Sequence, residues 1–287
     1  MTSSSRPADL SHFLKSRRAQ LDAASLGLPD DKRRVPGLKR EELAALAGIS
    51  RDYYVRLEQG RGHQMSSQVI ESLARALQLD DDERMYFQRL ASPSLGATDV
   101  SHEPKPVGRA VLALLDQWSE VPAYVFDSNQ DIVAINEMAD LVSPAFAWYG
   151  DNLAVAAFEV VKQFPNDEAF VENARRTTAA LRFHGDPGNA RLSEIVGLLS
   201  VEHHLFRRLW AEHHAHPFVN GTVPVSIDGS ELVEFPWQIL EVPGGFFMTF
   251  MPVAAGSRPE RMLAGLRESR LVGRAVRGPL AGWPAVK

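Results

Sequence analysis

Apolar positions in the first ninety residues recur at helical spacing. Leu10, Phe13, Leu14 and Leu21 form one such series, with Lys15, Arg17 and Arg18 exposed between them. Further helices are predicted over 39–47, 50–59, 66–78 and 81–91. "GLPDDKRRVPG" at 27–37 interrupts the pattern and reads as a loop. Gly60 falls just past a predicted helix, where a left-handed residue is wanted. "SPSLGATDVSHEPKP" at 92–106 is rich in Pro, Ser and Gly and reads as a linker.

Beyond the linker the period changes. "VLALLDQW" (111–118) is helical, whereas "AYVFD" (123–127) and "DIVAI" (131–135) read as short strands around "SNQ". Asn136 suits the cap of the helix "EMADLV". Helices are predicted over 167–183, 190–200 and 202–214. Strands are predicted over 223–227, over 231–242 with Pro236 as an interruption, and over 245–251. The expectation is two domains: an all-α domain over 1–91, then, after the linker, an α+β domain over 107–255. The second is expected to carry an antiparallel sheet with helices on one side. The remainder, 256–287, reads as a basic tail with seven Lys/Arg against two Glu.

At 287 residues and 45% hydrophobic content the chain can bury a sizeable core. It has no cysteine, which excludes disulfides and thiolate metal sites and fits a reducing compartment. "MTSSSRPADL" is polar, and no apolar run approaches the roughly 20 residues needed to span a bilayer. A cytoplasmic protein with no membrane partner is expected. The net charge of −5 hides an asymmetry: residues 6–61 carry 12 Lys/Arg against 8 Asp/Glu, and residues 93–287 carry 16 against 23. Local charge, not net charge, decides whether an anionic partner is attracted.

The basic part contains "LKREELAALAGISRDYYVRLEQG" at 38–60. Ala44 is small where two helices would cross, Gly48 suits a turn needing positive φ, and Ser50 suits an N-cap. Helix, glycine turn and helix at this spacing form a helix-turn-helix signature. A plain structural hairpin is the competing explanation. Lys39 and Arg40 at a helix start, where the macrodipole disfavours cations, favour DNA instead, because phosphates docked there offset that cost. Arg51, Asp52, Tyr53 and Arg56 are the candidate base readers, with Ser50 at the helix start. Arg33, Arg34, Lys39, Arg40 and Arg61 are the candidate phosphate contacts with double-stranded DNA. Glu58 is expected to make an internal salt bridge, since phosphates would repel it. A homodimer is expected, because one short helix reads few bases and paired half-sites repair that.

Residues 27–61, "GLPDDKRRVPGLKREELAALAGISRDYYVRLEQGR", resemble the XRE/Cro-type DNA-binding domain of the MmyB-like transcriptional regulators. "VPAYVFDSNQDIVAIN", "NLAVAAF" and "FRRLWAEHH" resemble the ligand-binding domain of the same family over roughly 105–255. The chain departs from that pattern at Ile135, where a Trp often precedes the Asn, and in its last strands. The resemblance implies a PAS-like fold and a small apolar ligand of the fatty-acid kind. Together with the bulky apolar residues on the predicted strands and helices, it makes Phe126, Trp210, Trp237, Phe247, Thr249 and Phe250 the candidate pocket residues. The alternative is a second domain that only dimerises or recruits a protein partner.

His203, His204, His213, His214 and His216 crowd into 14 positions, but no carboxylate completes a recognised ligand spacing, so no metal is expected. Neither a nucleophile elbow, a phosphate loop nor a dinucleotide glycine run is present, so neither catalysis nor a cofactor is expected.

Overall fold

The computed structural model describes residues 6–28, 37–61, 65–91, 106–142, 150–226 and 231–271. Its first helices are α1 (Arg6–Gln20), α2 (Arg40–Leu46), α3 (Arg51–Glu58), α4 (Ser67–Ala76), α5 (Asp81–Ala91) and α6 (Arg109–Gln117). Strands β1 (Ala123–Phe126) and β2 (Ile132–Ile135) follow. Next come α7 (Glu137–Val142), α8 (Leu153–Gln163), α9 (Glu168–His184), α10 (Ala190–Glu202) and α11 (His204–Ala211). Strands β3 (Asn220–Val225), β4 (Val233–Val242) and β5 (Phe246–Phe250) precede α12 (Arg258–Leu271).

The chain forms two compact units. One comprises Met1–Glu103 with Gly185–Pro217, the other Pro104–His184 with Phe218–Lys287. In the first, α1 packs on α3 and α5 through Phe13, whose ring stacks on Phe87 and meets Tyr86 edge-on. Phe13, Leu14, Leu43, Tyr54, Leu57, Leu73 and Phe87 are fully buried there, whereas Leu10 and Leu21 of the first helical series are half-buried and Arg17, expected to be exposed, is buried. Helices α10 and α11, which fall inside the region 107–255, lie in the same compact unit as the N-terminal helices. The physical reason lies in long-range bonds invisible to periodicity. Ser16 Oγ donates to the Glu212 carbonyl at 2.9 Å, as does Gln20 Nε2 at 3.0 Å, and Arg17 Nη2 donates to the His213 carbonyl at 3.1 Å. Arg17 also pairs with Glu83 at 2.6 Å, so this buried guanidinium bridges α5 and the 185–217 segment.

The second unit is an antiparallel five-stranded sheet in the order β2-β1-β5-β4-β3, the α+β, PAS-like arrangement expected. Helices cover both faces, not one. Val111 and Leu115 of α6 pack on Ala123, Val125, Phe246 and Met248. On the other face, Met138 and Val142 of α7, Leu153 of α8 and Leu263 and Leu266 of α12 pack on Tyr124, Phe126, Phe235 and Trp237. Thus α12 occupies residues that the sequence assigned to a basic tail. Its arginines mask a pair of leucines that the sheet buries.

Strand β4 runs unbroken through Pro236. The β4–β5 ladder begins at Gln238, so at Pro236 only β3 lies alongside, and one ladder rather than two passes the missing N–H. Asn136 does more than cap α7. Its Oδ1 accepts from Ala139 N at 2.9 Å and from Ala123 N at 3.1 Å, and its Nδ2 donates to the Trp118 and Val121 carbonyls. One side chain thus ties α6, β1 and α7 together. Helix α8, absent from the sequence reading, starts at Asn152, whose Oδ1 accepts from Ala154 N and Val155 N.

Candidate functional site

Helices α2 and α3 form the helix-turn-helix. The turn passes through Gly48 at φ +66°, which lets Ile49 N return to the Ala44 carbonyl at 3.0 Å. Added Cβ atoms at Gly48 meet nothing within 4 Å, so glycine is needed there for its backbone angle, not for space. Ser50 caps α3, its hydroxyl accepting from Tyr53 N at 3.2 Å. Leu43, Ala44, Ala47 and Leu57 are buried between the helices, as the sequence pattern required.

This packing leaves one polar face on α3. Ser50, Arg51, Asp52 and Arg56 are exposed, and Tyr53 is half-buried with the Arg56 guanidinium 5.8 Å from its ring centroid. Arg51 lies 3.8 Å from Glu41, with both side chains mostly in solvent, so that pair holds neither in place. Lys39, Arg40 and Arg61 are also exposed. Arg33 and Arg34 fall outside the described residues, as does most of the linker at 92–106.

Beneath this face lies a feature only partly expected from sequence. Glu58 is buried, and its carboxylate accepts from Arg18 Nε at Oε1 and from Arg40 Nε at Oε2, each at 2.6 Å. Burial alone would raise the Glu58 carboxyl. The bonds from Arg18, Arg40 and Tyr54 outweigh it and hold the group below its usual range. Burial and the neighbouring carboxylate push the Tyr54 phenol far up, so it stays protonated. Arg18 Nη1 also donates to the Leu38 carbonyl at 2.6 Å, fixing the entry to α2. Arg40 is thus both an exposed cation at the start of α2 and a buried anion's partner. The role of Arg18 was not foreseen, because its partner stands 40 residues away.

In the second unit, the sheet face toward α7, α8 and α12 gathers Phe126, Trp237 and Phe247. Phe126 and Phe247 stack at 5.5 Å, and His184 approaches Phe247 at 4.4 Å. Thr249 sits opposite Tyr124 in the β1–β5 ladder and is buried. Burial pushes the Tyr124 phenol up to about 12, and the neighbouring Thr249 hydroxyl pulls against that rise. The other two candidate pocket residues are not part of this cluster. Phe250 lies on the opposite face, 5.1 Å from Trp118, because alternate residues of a strand point to opposite sides. Trp210 belongs to the first unit, stacked on Phe206 at 5.4 Å.

The fold and this geometry define a class: a helix-turn-helix DNA-binding module carried with an α+β domain whose sheet presents an aromatic, largely apolar face. A family model for the MmyB-like transcription regulator ligand binding domain matches residues 107–266, and one for a helix-turn-helix domain matches residues 9–87. The chain belongs to the MmyB-like transcription regulators. Comparison with curated proteins finds no match. Among the described residues no helix is long and apolar enough to cross a membrane.

Proposed function

We propose that this regulator reads a specific operator as a homodimer in the cytoplasm and that its second domain takes a small apolar, fatty-acid-like ligand. The observation that carries the DNA half is the exposure of Ser50, Arg51, Asp52 and Arg56 along one face of α3, beside Lys39 and Arg40 at the start of α2. Recognition helices meet bases near their N-termini, where Arg51 and Asp52 stand. Arg and Asp match guanine and cytosine edges respectively, and Lys39, Arg40 and Arg61 take phosphates. Arg33 and Arg34 are assigned to phosphates by the same charge argument.

The ligand half rests on Phe126, Trp237 and Phe247 sharing one sheet face, with Tyr124 and Thr249 supplying polar groups among them. To regulate, the ligand must prefer one arrangement of the dimer over another, since equal affinity for both shifts nothing. Organic extraction and mass spectrometry of protein purified without added lipid, followed by operator titrations with and without the extracted molecule, test the reading. Thr249→Trp should abolish the ligand effect and keep DNA binding. Failure of every extracted molecule to alter operator affinity would reject the sensor.

A second reading, a domain that dimerises or recruits a protein, is favoured by one observation. Strand β2 lies at a sheet edge, with Val133 and Ile135 exposed on it. Light scattering of the intact chain measures its assembly state, and a monomer at micromolar concentration would reject dimerisation in both readings, leaving recruitment of another protein to a binding test on β2 variants.

A further inference from the structure

Three elements of the first unit converge where α5 begins. Asp80 and Glu83 form a reciprocal cap there: Glu83 N donates to Asp80 Oδ1 at 2.8 Å, and Asp80 N donates to Glu83 Oε2 at 3.3 Å. Arg17 of α1 holds Glu83 Oε1 at 2.6 Å. After α11 ends at Ala211, the chain runs irregularly through His214 and His216, whose rings lie nearly parallel at 22° with centroids 6.4 Å apart. The sequence predicted a helix to 214, which would have turned these two imidazoles to different sides. In the structure burial alternates, with His213 and Ala215 inward and His214 and His216 half-exposed on the other side.

One ligand atom each from Glu83, His214 and His216 lies within 4.8 Å of the others. His216 Nε2 is 3.9 Å from Glu83 Oε1, while its Nδ1 is 3.6 Å from Asp82 Oδ2 and 3.9 Å from Asp80 Oδ2. These gaps exceed the roughly 2.7–3.2 Å of a direct hydrogen bond. The His216–Glu83 gap approaches the edge of a tetrahedron, about 3.3–3.4 Å, drawn around an ion with ligands at roughly 2.0–2.1 Å. The two faces of the imidazole also differ in kind. Nε2 looks toward Glu83, and Nδ1 looks toward aspartates able to fix its tautomer, the carboxylate–histidine–metal arrangement in which an outer carboxylate orients a ligating ring.

We propose that Glu83, His214 and His216 bind a divalent transition metal of the zinc class, with water in the fourth position and Asp82 orienting His216. Two imidazoles and one carboxylate suit zinc, cobalt or nickel and disfavour magnesium or calcium, which take all-oxygen sets. Arg17 beside Glu83 opposes a cation. Asp80, Asp81 and Asp82 oppose Arg17 in turn, and a carboxylate bonded to a guanidinium still offers free lone pairs. The bound ion would clip the chain after α11 to the first turn of α5, joining a segment of the matched ligand-binding region to the helices that carry DNA recognition. Two of the five clustered histidines, His214 and His216, which the sequence left without a carboxylate at ligand spacing, acquire one from a residue more than a hundred positions upstream.

The test uses the untagged full-length chain, stripped with chelator and titrated calorimetrically with zinc and, by absorption, with cobalt. One equivalent per chain and an intense four-coordinate cobalt band are expected. His214→Ala and His216→Ala should each weaken binding by more than the ~10–100-fold typical of losing an outer partner, and Asp82→Asn by about that amount. Both histidines are half-exposed, so these variants should fold, which circular dichroism checks. Binding unchanged in the double histidine variant, or zinc held no more tightly by wild type than by that variant, would overturn the proposal. The remaining histidines are then the binders, or the pair is only a charge complement to the acidic start of α5.

Discussion

Arg40 Nε donates to Glu58 Oε2 at 2.6 Å, joining the first residue of α2 to the last residue of α3. Glu58 is nearly inaccessible, whereas about half of the Arg40 side chain remains in solvent. The bond therefore fixes the two helices while leaving Arg40 available to a phosphate.

Removing Glu58 strands the mostly buried Arg18 guanidinium without its carboxylate. Glu58→Ala should destabilise the protein by about 3 kcal/mol, the lower end for breaking a buried pair because Arg40 can turn to water. The pH dependence follows from the lowered Glu58 carboxyl. Its stabilisation is complete above the unfolded value, near ~4.3, and drains away as pH falls through the lower folded value. Urea titrations of wild type and Glu58→Gln at neutral and acidic pH should show the difference between them shrinking in acid. A difference independent of pH would contradict this assignment.

The exposed face of α3 separates two kinds of arginine. Arg51→Ala and Arg56→Ala should each cost about 1–3 kcal/mol of specific binding and relax preference at one base pair. Lys39→Ala or Arg61→Ala should weaken all sequences alike and lower the salt slope by about one. Gel-shift titrations on operator and random DNA at two salt concentrations distinguish them. An Arg51/Arg56 double variant with unchanged operator affinity would remove these residues from base reading.

Tyr124 and Thr249 face each other across the β1–β5 ladder, with the phenol pushed up to about 12. A raised tyrosine contributes stability in full below its unfolded value, near ~10, and loses it as pH rises toward the folded value. Tyr124→Phe should flatten the alkaline limb of the stability profile between those two points. Thr249→Val should leave stability at neutral pH nearly unchanged, because the buried Thr249 hydroxyl makes no hydrogen bond among the described residues that the methyl would remove. A loss of about 1 kcal/mol, absent in the Tyr124→Phe background, would instead show a bond between the two hydroxyls.

Helix α12 is part of the second unit's core, with Leu263 fully buried and Leu266 nearly so. Leu263→Ala should cost about 2–5 kcal/mol. Ending the chain at Gly256 should expose the sheet face and yield a protein that unfolds early on heating. A truncated protein with an unchanged midpoint in thermal melts would show that α12 contributes nothing to the core.

Much of this molecule was legible in its sequence, because the features concerned are local. Gly48, Ser50 and the buried series Leu43, Ala44, Ala47 and Leu57 specify a turn, a cap and a helix crossing within sixteen residues. The Asn136 cap on Ala139 N and the "SNQ" turn likewise act within a few positions, and the alternation of Phe246 to Phe250 already separates two sheet faces. What the chain does at long range needed the tertiary structure. Arg18 meets Glu58, and Arg17 meets both Glu83 and the His213 carbonyl. No periodicity encodes such pairings, so the grouping of α10 and α11 with the N-terminal helices could not be read from it. The same limit separated Trp210 from the aromatic cluster and hid the buried leucines of α12 behind its arginines. Side-chain period reveals which face of an element is apolar. Only the packed chain decides which other element covers it.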